Sequence, residues 1–312
     1  VLLFSSGSLA GEPFPVIEPI ETEHFVLYLS QPSYESRVDA VLSRTRLRLG
    51  ELLLDTLGYK PDIYVVDDLR YFNYLVGGGF PDWGAAAAIP SKRRIVLKSP
   101  AAFNVQKSLE ELLSHELAHL ALAQRTGYHS APRWFQEGLA MMVSAEWDWS
   151  DNVAMGRASV FASFLSLESI ERVNRFGETK AHLAYSESYL ATTHLFEEYS
   201  RKMVRVMLDS LAAGSSYDQA LIACTGGDVK EFEAELKQKW YKRFNLTSLF
   251  IDMAFFWLAL AAVVVIAFFM QYRKRRAYYK KWEEEEQFHS TDFDYGDPDH
   301  PEQTDDDEPW RS

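Results

Sequence analysis

The five residues His115-Glu116-Leu117-Ala118-His119 constrain this 312-residue chain more tightly than any other stretch. The pattern H-E-x-x-H has chemical meaning on a helix. Histidines four apart then leave the same face one turn from each other, and two neutral imidazoles at that spacing hold one metal ion. Zinc is the ion such a donor pair suits, with Glu116 as general base toward water on the metal. The flanks predict a helix over 107–125. Ser108 caps it, Glu110 and Glu111 sit in its first turn, and Gly127 stops it. Leu109, Leu112, Leu113, Leu117 and Leu120 supply its apolar stripe.

A catalytic zinc ion takes a third protein donor. A third histidine in the extended pattern H-x-x-G-x-x-H fails here, because Leu122 and Arg125 occupy the glycine and histidine positions. The other common solution is a glutamate on the following helix. The segment Pro132-Arg133-Trp134-Phe135-Gln136-Glu137-Gly138-Leu139-Ala140 offers it, with Pro132 suited to a helix start. Glu137 stands among Trp134, Leu139, Met141 and Met142, where a lone carboxylate costs several kcal/mol unless paired or metal-bound. Gly138 and Ala140 are small and predict a close approach of this helix to the histidine helix. His129, Glu146, Asp148 and Asp151 are the competing donors nearby.

The runs HELAH and PRWFQEGLA resemble the gluzincin metallopeptidases, in particular the peptidase MA-like family. The resemblance covers most of residues 22–245, with the segments 161–170, 184–189 and 217–240 matching less specifically than the two helices. It implies His115, His119 and Glu137 as zinc ligands and Glu116 as the catalytic base. It also implies an α+β, zincin-like fold, in which a small mixed sheet and an active-site helix precede a mostly helical half. In such enzymes an edge strand before the active-site helix holds the substrate backbone antiparallel. Here that strand is Ala85–Ile89 or Arg94–Lys98. A tyrosine or histidine of the second half often stabilises the oxyanion. Tyr185 is the first choice, followed by Tyr189, His182 and His194. One departure stands out. Some gluzincins carry a carboxylate one turn after the glutamate ligand to orient the first histidine. Met141 is at that position, which leaves the partner of His115 unassigned.

A second signal lies further on. Met253 to Met270 is a run of 18 residues without a charge, at the lower end of what spans a bilayer. With its preceding residues it predicts a transmembrane helix over 249–270, Asp252 lying near the outer interface. Arg273, Lys274, Arg275, Arg276, Lys280 and Lys281 follow at once and predict a cytoplasmic C-terminal side. Lys237, Lys239, Lys242 and Arg243 make the other flank basic too. Val1-Leu2-Leu3-Phe4 followed by Ser8-Leu9-Ala10 reads as the end of a signal peptide over 1–10, which puts the catalytic domain outside the cytoplasm.

Charge is uneven along the chain. Residues 283–312 hold 13 Asp and Glu against one Arg, and 271–282 carry six basic residues. The overall charge of −13 is therefore largely a property of the tail and says little about substrate. The tail is expected to be disordered and to suit a cytoplasmic partner, while the basic cluster suits anionic headgroups. Nothing in the acidic ectodomain reads as nucleic-acid binding. The single cysteine, Cys224, excludes an intrachain disulfide and reads as a core residue. The run Gly77-Gly78-Gly79 lacks the lysine of a phosphate loop and reads as a loop near the cleft. The sequon Asn245-Leu246-Thr247 lies beside the span.

These readings divide the chain into a signal remnant (1–10), a zinc-binding α+β half (11–145), a helical half (146–248), a membrane span (249–270) and a cytoplasmic segment (271–312). They predict strands over 24–30 and 62–67 and a helix over 34–57 ended by Gly58. The function they favour is a membrane-anchored zinc metallopeptidase acting on a peptide or protein substrate. The rival is a catalytically silent, membrane-tethered binding or sensory protein that keeps the zincin fold; its support is the cytoplasmic tail and the missing carboxylate at Met141.

Overall fold

The computed structural model describes residues 14–288, except 15, 79–83, 130 and 246–253. The signal-like start, Gly79 at the end of the glycine run and the acidic tail past 288 lie outside the described residues. The chain separates into two compact units, 1–249 and 250–312.

The first unit begins as a mixed sheet. Its strands are β1 (Ile20–Glu21), β2 (Val26–Leu29), β3 (Asp62–Val66), β4 (Ala86–Ile89) and β5 (Arg94–Lys98), in the order β1-β2-β3-β5-β4. β2, β3 and β5 are parallel, while β1 and β4 run antiparallel at the two edges. Alternation along β3 and β5 sorts the core. Ile63, Val65, Ile95 and Leu97 face the large cluster that includes α1 (Glu35–Leu53) and α3 (Leu109–Arg125). Tyr64, Val66 and Val96 face the opposite side and pack with Phe72 and Leu75 of α2 (Leu69–Val76). The chain continues as α4 (Arg133–Ser144), α5 (Trp149–Val160), α6 (Leu167–Ile170), α7 (Glu178–Glu198), α8 (Arg201–Ala212), α9 (Tyr217–Thr225) and α10 (Val229–Arg243). The architecture is thus α+β, with a helical second half.

One expected boundary and one expected packing contact shift. α1 ends at Leu54, in the left-handed region at φ 52°, rather than at Gly58. The cause lies on α3: Arg125 Nε donates to Leu53 O and Gln124 Nε2 donates to Thr56 O, while Gln124 Oε1 accepts from the Gly58 N–H. These side chains satisfy the backbone groups that another helical turn would have used. The second shift concerns Gly138. A Cβ there would lie 2.1 Å from the Ser188 carbonyl oxygen and 2.2 Å from Thr192 Oγ1, both on α7. Gly138 therefore admits α7, not the histidine helix.

The second unit contains α11 (Ala254–Phe288), the one helix among the described residues long and apolar enough to cross a membrane. It does not stop at the basic cluster. It runs through Arg273–Lys281 and Glu283–Glu286, so the first residues of the expected disordered tail are helical. Lys, Arg, Glu and Ala are strong helix formers, and Lys281 pairs with Glu285 at i,i+4 across 3.8 Å.

Candidate metal centre

α3 starts where its capping residues place it. Ser108 accepts from the Glu111 N–H while the Glu111 carboxylate accepts from the Ser108 N–H, a complete capping box. From that start, His115 and His119 leave the helix side by side, ring centroids 5.0 Å apart. α4 has no side-chain cap of its own at Pro132. Its first N–H, on Arg133, donates instead to Glu171 Oε1 at 2.7 Å. One turn on, Glu137 is 3% exposed and its two oxygens divide the work. Oε1 accepts from Arg133 Nη2 at 2.8 Å, and Oε2 lies 3.5 Å from His115 Nε2 and 3.9 Å from His119 Nε2.

His115, His119 and Glu137 offer three donor atoms all within 4.8 Å of one another. Donors about 2.0–2.1 Å from a tetrahedral ion stand roughly 3.4 Å apart, so the group needs only small adjustment to close on a cation. The electrostatics ask for one as well. Burial disfavours the charged form of His115, but the adjoining Glu137 and Glu146 carboxylates outweigh it and push the imidazole up to about 10. Burial pulls His119 down to about 4. Glu137 is held down at about 2: burial opposes this, and His115, His119 and Arg133 overcome it. A proton on His115 supplies, in the metal-free chain, positive charge that a cation would bring. The residues fit a zinc-type donor set.

Glu116 is 8% exposed and points toward β4. Burial raises its pKa and His115 lowers it. Glu137 raises it again, and a backbone hydrogen bond from Ala88 favours its ionised form. Ala88 belongs to the edge strand. Between the two strands proposed for substrate, β5 is interior, flanked by β3 and β4, and β4 is the edge. Among the described residues no strand pairs with the outer side of β4.

The structure also answers what sequence left open. His115 Nδ1 lies 2.8 Å from Glu146 Oε1, so the unassigned partner is a carboxylate five residues past Met141. Glu146 had ranked only as a competing ligand. Its signal was hidden because it follows Ala145, a non-glycine residue at φ 59° that closes α4 and breaks helical spacing. The other competitors are engaged elsewhere. Asp148 and Asp151 form the capping box of α5, and Asp151 also meets His182 at 3.3 Å. His129 packs near Gly127 and Gly214.

Of the four oxyanion candidates, Tyr185 is the one beside Arg133, the partner of Glu137. Its hydroxyl pKa is raised first by burial and then by the charge of Glu137, with Arg133 opposing. His194 instead hydrogen-bonds Glu235 and sits near Lys239. Tyr189 stacks on Trp147 at 4.8 Å.

A helix presenting two histidines and a carboxylate beside a sheet edge, with a second helix presenting another carboxylate, is an arrangement that suits a peptidase-like domain. The chain belongs to the peptidase MA superfamily, whose family model matches residues 80–243, more than half its length. Comparison with curated proteins returned no match.

Proposed function

We propose that this chain is a membrane-anchored zinc peptidase that hydrolyses peptide bonds in extended segments laid along β4. The observation that carries this reading is the convergence of His115, His119 and Glu137, with Glu116 interacting both with that group and with the backbone of Ala88 on the edge strand. When bound, zinc supplies Lewis acidity, polarising a carbonyl oxygen and bringing the pKa of water toward about 7. His115, His119 and Glu137 hold the ion, and Arg133 holds Glu137 by its distal oxygen. Glu116 takes a proton from the attacking water and passes it to the leaving amine. The Tyr185 hydroxyl donates to the oxygen on which negative charge develops. β4 binds the substrate backbone antiparallel, as an added strand.

Anchoring rests on α11, and the basic residues after its apolar part support a cytoplasmic C-terminal side. The rival reading as a silent binding protein loses one of its two supports, since Glu146 lies 2.8 Å from His115 Nδ1 where Met141 offers no carboxylate. The full chain, purified in mild detergent without chelators, is expected to carry one zinc ion and to cleave an unstructured protein substrate. Glu116→Gln is expected to abolish cleavage while retaining the zinc. Zinc near zero that added metal does not restore would sink the proposal. Protease added to sealed cells that cut the basic flank and spared 84–245 would reverse the orientation.

A further inference from the structure

We infer that the C-terminal corner of α5 and the last turn of α10 form a face that docks on anionic phospholipid headgroups. This rests on the membrane anchoring proposed above and is independent of the zinc reading. α5 closes in an exposed corner. Phe161 is 74% exposed, and Val160 beside it is exposed too. Ala162 follows at φ 49°, and across it the Ser163 N–H donates to Ala158 O at 2.9 Å, which fixes the corner with Phe161 at its tip. Phe164 turns back against α10, its ring centroid 5.4 Å from Trp240 and 5.0 Å from Tyr241. The corner thus abuts the end of α10, where Tyr241 is exposed in turn. Single exposed apolar residues are ordinary on a protein surface. Three gathered around one buttressing ring call for a partner.

Charge says which partner. Arg157 stands one turn before Phe161 on the same side of α5, and Lys242 and Arg243 follow Tyr241. All three are exposed, and among the described residues none forms an ion pair. Lys237 and Lys239, by contrast, are engaged by Glu233, Glu198 and Glu235. The segments 157–166 and 236–245 contain these basic residues and no Asp or Glu, in a chain whose net charge is −13. Exposed aromatic rings among unpaired cations suit the headgroup layer, where tyrosine sits at the interface and Lys and Arg meet lipid phosphates. Chain length adds to this. Asn245 stands nine residues before Ala254, where α11 begins, and a chain of that length reaches no further than about 30 Å. The end of α10 is therefore tethered close to the bilayer that α11 would cross.

The test places the full chain in vesicles of phosphatidylcholine, with or without phosphatidylglycerol. Ser163→Cys carries a fluorescent dye at the corner; the native cysteine, Cys224, is buried, which keeps the labelling selective. Quenching by a lipid spin-labelled on its headgroup reads contact with the bilayer surface. Strong quenching is expected with phosphatidylglycerol and weaker quenching in phosphatidylcholine alone. Replacing Arg157, Lys242 and Arg243 together by Gln is expected to lower the docked-to-free ratio about 100-fold, roughly 5-fold for each cation. Arg157→Lys with Arg243→Lys keeps the charge and should keep the quenching, whereas a merely structural role for the two arginines would not survive that change. Phe161→Ser should weaken quenching as well. A dye unquenched in both lipids, or quenched equally in the triple Gln variant, would overturn the inference. A dye shielded from aqueous iodide yet unquenched by lipid would assign the face to a protein partner and overturn it too. A chain that leaves the vesicles on alkaline washing removes the anchoring reading, and the docking face with it.

Discussion

Gly138→Ala is the change that best separates the packing of this domain from its local preferences. In a helix interior, alanine is favoured over glycine by about 1 kcal/mol, so the substitution should stabilise if helix propensity decided. The structure says otherwise. The new Cβ would stand 2.1 Å from Ser188 O and 2.2 Å from Thr192 Oγ1. A carbon–oxygen contact needs about 3.3 Å, so the shortfall is roughly 1.2 Å. Ser188 O is backbone and cannot swing away, so α4 and α7 must part. Overpacking of this kind costs about 1–3 kcal/mol and occasionally more, which exceeds the propensity gain across most of that range. With a cost of about 2 kcal/mol set against a gain of about 1 kcal/mol, the net loss is about 1 kcal/mol, which lowers the midpoint of a domain this size by about 2–4 °C. Glu137 is the neighbouring residue, so zinc affinity is expected to fall with it. Gly50→Ala is the control: it too lies within a helix, but its Cβ would meet nothing closer than 3.5 Å. It should raise stability, by up to about 1 kcal/mol. Scanning calorimetry of the full chain, metal-free and zinc-loaded, reads both. A Gly138→Ala protein as stable as wild type, with unchanged zinc affinity, would refute the reasoning.

Two further outcomes are expected. Tyr185→Phe should lower kcat about 100-fold with zinc content intact, and an unchanged kcat would pass the role to another donor. Glu187 is fully buried, accepts from the Leu165 N–H through Oε1, and has no hydrogen-bond partner for Oε2. Burial pushes its pKa up to about 8. Because the unfolded chain ionises near 4.3, the stabilisation from this carboxyl is full below that pH and is lost as pH rises through about 8. The midpoint of wild type minus that of Glu187→Gln should therefore fall between pH 5 and 8; a flat difference in thermal scans would contradict the assignment.

What sequence revealed, and what it did not, follows from how each feature is encoded. Helix α3 was legible because its cap, acidic first turn, leucine stripe and terminal glycine all point the same way. Glu137 was legible because a carboxylate among apolar residues requires a partner. Glu146 was not, because a left-handed alanine carries no turn signature and helical spacing leads from Glu137 to Met141. The end of α1 was misplaced because it is set by Gln124 and Arg125, about 70 residues away, rather than by the local Gly58. The packing face of Gly138 was likewise a tertiary fact: small size announces a close approach without saying to what. The length of α11 was underestimated because charge was read as disorder, although the charged residues after the span are good helix formers.

The outer side of β4, on which no strand pairs among the described residues, has a consequence for what the proposed enzyme can attack. An added strand must offer free N–H and C=O groups at strand spacing, and residues in a helix or an interior strand have already committed theirs. The alanines at 86–88 put little side-chain bulk along this edge, so it offers little by which to favour one side chain over another. Such an enzyme reads local unfolding before it reads sequence. A stable domain would pass it untouched, and the same polypeptide, frayed or incompletely folded, would be cut.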